Sequence, residues 1–290
     1  MRINFIGIGA QKCASTWVHR VLSDHPDVAV LPEKEIDFFS YYYNFGYEWY
    51  ERHIGEINAI KMVGEVSPSY FADVETPERV YLYNPNMKII LSLRDPVERA
   101  YSNHLHEVRL GHVTGKNLEF ENGLTNNPMY FLQSCYAQQL ARWLSVFPRN
   151  QIMVIFQEDI HSDPFVQAQN LYRFLGIEED HRSWFLERKV NESIVIKNSK
   201  VDYILKRFGK FGRAIGAGNI IEIIKKNEWV YRLRRSHNQI ELRKVIPPMH
   251  NETREKLRNM LANDMRELAQ QLELTELPWS SWKALHIKAD

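Results

Sequence analysis

Cysteine is scarce in this chain: Cys13 and Cys135 are the only two among 290 residues. Two thiols make neither a disulfide framework nor a metal-ligand cluster, and they suit a reducing cytoplasm. Long apolar runs are also missing, and no stretch approaches the length needed to cross a bilayer. The first strand begins almost at Met1, which leaves no room for a cleavable signal, so a cytoplasmic location is expected. An excess of either charge sign is lacking too. Lys and Arg number 37 against 36 Asp and Glu, a net charge of +1, which singles out no partner by itself; a nucleic-acid partner is not expected. There is no internal repeat and no low-complexity tract. What remains, 44% hydrophobic and 25% charged residues, is ordinary globular composition with enough apolar material for a full core.

The most informative stretch is Ile6 to Ser23. Arg2 to Ile8 is β-branched and aromatic enough for a buried strand, and Gly7 and Gly9 allow a tight turn. From Ser15 onward, Trp17, Val18, Val21 and Leu22 recur at helical spacing, so a helix is expected to begin near Ser15. The first backbone N–H groups of such a helix have no intrahelical partner and carry the positive end of its dipole. An anion is their natural occupant, and Lys12 adds a full charge beside them.

Strands and helices then alternate. Val28–Leu31, Lys61–Glu65, Met87–Leu93 and Gln151–Phe156 read as strands, and Ser67–Phe71 must be loop because Pro68 keeps Ser67 extended. After Leu93, Asp95 is explained as an N-cap, Pro96 as the first helical residue and Glu98 as the third. Arg94 has no such local role and stands at a strand's carboxyl end, where open α/β sheets bind ligands. Helices are expected over Leu118–Leu124, Met129–Phe147 and Pro164–Leu175, with Glu158–Asp159 as loop, and Asn251 is read as the cap of a last helix reaching about Leu272. This alternation predicts an α/β protein, a P-loop-like parallel sheet flanked by helices on both faces. One domain over 1–290 is expected, with a basic segment at about 200–246. That segment could serve as a lid over an anionic ligand, as a peripheral surface for acidic lipids, or as a solvated face. The aromatics from Tyr41 to Tyr50 read either as a wall over a substrate cleft or as packing.

A magnesium-dependent P-loop needs G-x-x-x-x-G-K-[ST], and this chain does not supply it. Lys12 is followed by Cys13 and Ala14, the hydroxyls of Ser15 and Thr16 come later, and the best strand ends in Arg94 rather than an acid. The turn should still grip a phosphate.

Q-K-C-A-S-T-W resembles the 5′-phosphosulfate loop of the sulfotransferases that use 3′-phosphoadenosine 5′-phosphosulfate (PAPS). L-R-D-P-V-E-R-A-Y-S-N-H is similar to that family's 3′-phosphate motif, and V-I-F-Q-E-D-I with a helix ending F-L-G continues the resemblance over most of the chain. Within the family, E-K-E-I-D-F-F looks like the segment of the heparan-sulfate-type carbohydrate branch in which a Glu before paired aromatics is the base. Those enzymes commonly carry His where Asp37 stands and Lys where Val66 stands.

The resemblance implies a PAPS-dependent sulfuryl transfer to a hydroxyl or amine of a glycan, glycolipid or related metabolite. Glu35 would take the acceptor proton and Lys12 would meet charge on the leaving phosphate. Lys12, Cys13, Ala14, Ser15, Thr16 and Trp17 would hold the phosphosulfate, and Arg94 and Ser102 the far phosphate, with no metal. His104 and His106 stand as weaker candidates for the base. Lys197, Lys200, Arg243 and Lys244 are late basic residues that could close over the nucleotide. The alternatives are a P-loop-type kinase of unusual sequence and a non-catalytic nucleotide- or membrane-binding protein.

Overall fold

The computed structural model describes residues 2–31, 34–54, 61–186, 194–196 and 239–282. The chain folds into two compact units, one of Met1–Asn103, Leu124–Val190 and His250–Asp290, the other of His104–Gly123 and Asn191–Met249. Most of the expected basic segment, and Lys197 and Lys200 with it, lies outside the described residues.

In the first unit β1 (Phe5–Gly9), β2 (Val28–Val30), β3 (Met62–Val66), β4 (Lys88–Leu93) and β5 (Ile152–Phe156) form one sheet. All four pairings are parallel, in the order β2-β3-β1-β4-β5. Every residue of β1 and β3 is buried, as expected of parallel strands covered on both faces. On one face Phe5, Met62, Val66, Ile90 and Ile155 pack with Trp17, Val18, Val21 and Leu22 of α1 (Ser15–Ser23) and with Leu171 and Leu175 of α9 (Pro164–Leu175). A buried side chain of this size contributes roughly 1.5–3 kcal/mol relative to leaving it in water. The alternate residues Ile6, Ile8, Val63, Ile89 and Leu91 point the other way and are equally buried.

The close strand spacing has a sequence cause. A Cβ on Gly64 would lie 2.2 Å from the Phe5 carbonyl oxygen, so only glycine lets β3 lie against β1 there. The sheet order places β3 and β4 on opposite sides of β1. Ligands of open α/β sheets bind where the strand order reverses, at the carboxyl ends, which here means the segments after Gly9, Val66 and Leu93.

Further helices are α2 (Gly46–Glu51), α3 (Thr76–Tyr83), α4 (Pro96–Leu110), α5 (Phe120–Asn126), α6 (Met129–Leu132), α7 (Tyr136–Leu144), α8 (Gln157–Ser162) and α10 (Asn251–Gln271). In the second unit β6 (Ile194–Ile196) and β7 (Gln239–Glu241) pair antiparallel.

Several expectations need correction. The single helix expected over Met129–Phe147 is two, α6 and α7. A continuous helix would give the Tyr130 carbonyl to the amide of Ser134. Instead the buried Arg99 guanidinium donates to that carbonyl at 2.6 Å, and the Ser134 amide turns to Phe131 O at 2.8 Å. Glu158–Asp159, expected as loop, lies within α8, which follows β5 without a break. The helix expected over Leu118–Leu124 is displaced to α5, preceded by a 3₁₀ turn over Gly115–Leu118. His250 occupies the N-cap position of α10, and Asn251 is its first helical residue.

Candidate functional site

The donor side of the site is built from backbone. β1 ends at Gly9, whose φ of +134° and whose hypothetical Cβ, 2.8 Å from Pro68 O, both require glycine. Lys12 (φ 69°) and Ala14 (φ 67°) then adopt left-handed conformations on either side of Cys13, and α1 starts at Ser15. Left-handed residues in such a turn aim successive N–H groups into one concavity, a nest for an anion at a helix N-terminus. The turn is fastened to β4: Ala10 N–H donates to Ser92 O at 2.7 Å and Ser92 Oγ to Gly9 O at 3.0 Å. Arg94 Nη1 donates to Lys12 O at 3.3 Å. Tyr136 OH donates to Arg94 O at 3.1 Å and lies 3.5 Å from Cys13 Sγ.

Two residues of this group carry a buried donor without a partner among the described residues, Arg94 at Nε and Trp17 at Nε1, a cost that a bound anion would remove. Asp95 caps α4 as expected, accepting from Val97 and Glu98 N–H at 2.9 and 3.2 Å. Its own amide donates to Glu158 Oε1, whose other oxygen accepts from Trp279 Nε1 at 2.8 Å. Ser102 is buried on α4. Beside it Arg99 is fully buried, donating to Ser134 Oγ, Gln133 Oε1 and Tyr130 O.

The facing side is built from side chains. Glu35 (φ 65°) and Asp37 (φ 55°) are both left-handed, with buried Ile36 between them. Four hydrogen bonds pin this segment to the end of β3 and the loop after it: Glu35 N–H to Val66 O (3.2 Å), Asp37 N–H to Ser67 Oγ (3.1 Å), Ser69 Oγ to Asp37 Oδ1 (2.5 Å) and Phe39 N–H to Tyr70 OH (3.3 Å). Beneath it lies Glu65, 1% exposed, accepting from Tyr50 OH (2.7 Å), Tyr70 OH (2.8 Å) and Ser67 Oγ (2.7 Å). Burial raises the Glu65 pKa above the ordinary carboxylate value despite those hydroxyls, which pull it down. Asp37 is raised as well, chiefly by burial and against its bond from Ser69.

Lys34 joins the two sides. Its Nζ lies 2.6 Å from Glu35 Oε1, 3.3 Å from Thr16 Oγ1 and 3.5 Å from Ser15 Oγ. The Glu35 carboxylate thus stands within two hydrogen-bond lengths of the hydroxyls at the start of α1, with its side chain 51% exposed.

The histidine candidates are occupied otherwise. His104 is buried, its Nε2 is 2.9 Å from Leu118 O, its ring meets Phe120 edge-on, and burial lowers its pKa. His106 Nδ1 lies 2.6 Å from Arg109 Nη2. The aromatic segment is part core and part surface. Tyr50 is buried and stacked on Phe38 with centroids 4.5 Å apart, whereas Tyr41, Tyr42 and Phe45 are exposed.

A strand, a left-handed turn with Lys and Ser-Thr, and an arginine at the next strand's end make a pattern that can be compared with known families. The model of the sulfotransferase domain matches residues 3–206. The chain belongs to the sulfotransferase family. Similar sulfotransferases include the membrane-associated sulfotransferase kil1 of Dictyostelium discoideum, 27% identical over 295 residues that cover 71% of this chain and 62% of that protein. Heparan sulfate glucosamine 3-O-sulfotransferase 6 of Homo sapiens is 30% identical over 177 residues, 59% of this chain and 51% of that protein. The chain therefore spans between about half and three-fifths of the length of these curated relatives. The crystal structure of a sulfotransferase from Alicyclobacillus acidocaldarius superposes with a TM-score of 0.68 at 24% identity, covering 94% of this chain and 97% of that one, and has the same fold.

Within this sulfotransferase fold, Lys12, Cys13, Ala14, Ser15, Thr16, Trp17 and Arg94 are brought to one turn, and Glu35 is brought to it through Lys34. Sequence reasoning singled out Glu35 in E-K-E-I-D-F-F but gave Lys34 no role, and it passed over Glu65 entirely. The signal for Glu65 was thin: a lone acid inside an otherwise apolar strand, with Tyr50, Ser67 and Tyr70 as hydroxyl donors in the flanking segments. Val66 is 1% exposed and brings no charge to the strand end.

Proposed function

We propose that this chain transfers a sulfuryl group from PAPS to a hydroxyl or amine of a glycan, glycolipid or related metabolite, with Glu35 as general base. The observation that carries the proposal is the Lys34 bridge: it holds a carboxylate and an anion-gripping turn about one tetrahedral group apart. In-line transfer needs a base on the acceptor side, positive charge at the departing oxygen, and a donor held in line between them. The acceptor oxygen attacks sulfur while its proton passes to Glu35, and the bond from sulfur to the 5′-phosphate oxygen breaks with its electron pair left on the phosphate. Lys12 and the N–H groups opening α1 receive that charge. The buried donors of Arg94 and Trp17 suit an anionic ligand, and Arg94 and Ser102 take the 3′-phosphate. The heparan sulfate relatives support a glycan-type acceptor. A cytoplasmic setting and peripheral lipid contact through the basic segment belong to this reading, and cell fractionation checks both.

Titration calorimetry with 3′-phosphoadenosine 5′-phosphate (PAP) tests the donor half. Binding that persists in excess chelator is expected; no binding, or binding abolished by chelator, rejects it in favour of a kinase-like site. Labelled PAPS offered to a panel of neutral glycans, sulfated glycans and glycolipids then identifies the acceptor.

A further inference from the structure

Lys34 directs its three N–H donors at groups from both halves of the site. The hydrogen bond to Glu35 is short, at 2.6 Å, while those to Thr16 and Ser15 are long, at 3.3 and 3.5 Å. The side chain is 25% exposed, so most of it packs against the site. Val66, at the neighbouring strand end, is apolar and supplies no cation. For sulfuryl transfer from PAPS with Glu35 as base, the sulfuryl group must lie between the hydroxyls that open α1 and the Glu35 carboxylate. Lys34 Nζ already touches both boundaries of that gap.

We propose that Lys34 is a second catalytic cation, one that touches the oxygens of the sulfuryl group in transit. The long bonds to Ser15 and Thr16 are the ones exchanged. When the phosphosulfate takes those hydroxyls, the ammonium turns the donors it gave them to the sulfuryl oxygens and keeps its short bond to Glu35, whose second oxygen faces the acceptor. Lys34 keeps all its protons; the acceptor's proton still goes to Glu35 and the electron pair still leaves with the phosphate.

This inference rests on the donor reading, and PAP separates the two because it lacks the sulfuryl group. Calorimetry would compare PAPS and PAP on the full chain, Lys34→Met and Lys34→Arg. The expected result is that Lys34→Met binds PAPS about tenfold more weakly, because a charge-assisted hydrogen bond is removed, while PAP affinity stays within about threefold. Lys34→Arg should restore most of the PAPS affinity. Retained PAP binding also certifies that the variant is folded. Equal weakening for PAPS and PAP would make Lys34 a phosphate-binding or structural residue and overturn the inference, as would unchanged affinity for both. If the parent chain bound neither nucleotide, the donor reading would fail and take this inference with it.

Discussion

The anion turn and the carboxylate segment bound the same small volume, yet they are held by different means. The turn is fixed chiefly by main-chain conformation: a glycine at φ +134°, two left-handed residues and one amide-to-carbonyl bond onto β4, with Ser92 Oγ and Arg94 adding bonds to its carbonyls. The carboxylate segment has one backbone bond, Glu35 N–H to Val66 O, and is otherwise fixed by side chains from the loop after β3: Ser67, Ser69 and Tyr70, the first and last of them anchored in turn on buried Glu65. The difference fits what each half would do under the proposed function. Phosphate oxygens can be met by N–H groups that any residue carries, so geometry suffices. A base must present one particular carboxylate at one angle, and that takes a dedicated set of supports.

If this contrast is right, the two halves should break independently. The largest effect is expected from Glu35→Gln: turnover falls on the order of 10²-fold or more, while calorimetry finds PAP affinity nearly unchanged. Next comes Ala14→Val. A β-branched residue held left-handed costs about 1–3 kcal/mol, so PAP binding should weaken by roughly tenfold or more while the carboxylate segment is untouched. Comparable weakening of PAP binding in both variants would dissolve the distinction.

A smaller effect is expected from Glu65→Gln. The amide offers one oxygen where the carboxylate offers two, so one of three buried hydroxyls loses its acceptor, at about 1–3 kcal/mol of stability. Turnover should fall with PAP affinity kept. The pH dependence has a definite sign. Burial raises the folded-state pKa of Glu65 above its ordinary value of 4.5, so the stability this proton binding provides is fully present below that value and fades as pH rises through the raised one. The penalty of Glu65→Gln, measured by thermal melts, should therefore shrink as pH climbs above about 4.5. A penalty that grew instead would mean that the three hydroxyls outweigh burial. The smallest effect is Ala14→Gly, which relieves the left-handed strain and should leave PAP binding intact while changing stability by no more than about 1 kcal/mol.

These two modes of support also explain what could be read from the sequence. The turn after β1, the cap at Asp95 and the apolar stripe of α1 depend on residues within a few positions of one another, and local spacing exposes such features. The sulfotransferase motifs were legible for the same reason. The supports of Glu35 were not: Asp37 meets Ser67 and Ser69 across some thirty residues, which no local pattern records. The break between α6 and α7 was hidden likewise, because Arg99, which takes the Tyr130 carbonyl, lies 31 positions away. Glu158 was read as loop, whereas it lies in α8 with its carboxylate accepting from the Asp95 amide and Trp279 Nε1, 63 and 121 positions away.

Arg99 has one more effect. The groups it donates to, Ser134 Oγ, Gln133 Oε1 and Tyr130 O, are all neutral, so its charge is solvated by dipoles but not cancelled by them. It is close enough to feel the charge of Arg94. A full positive charge is thus sealed beneath the anion turn, where mobile ions cannot gather around it. Salt screens exposed charges over about 10 Å at 0.1 M but reaches buried ones far less. The attraction of this turn for a nucleotide should accordingly outlast ionic strengths that screen exposed charges.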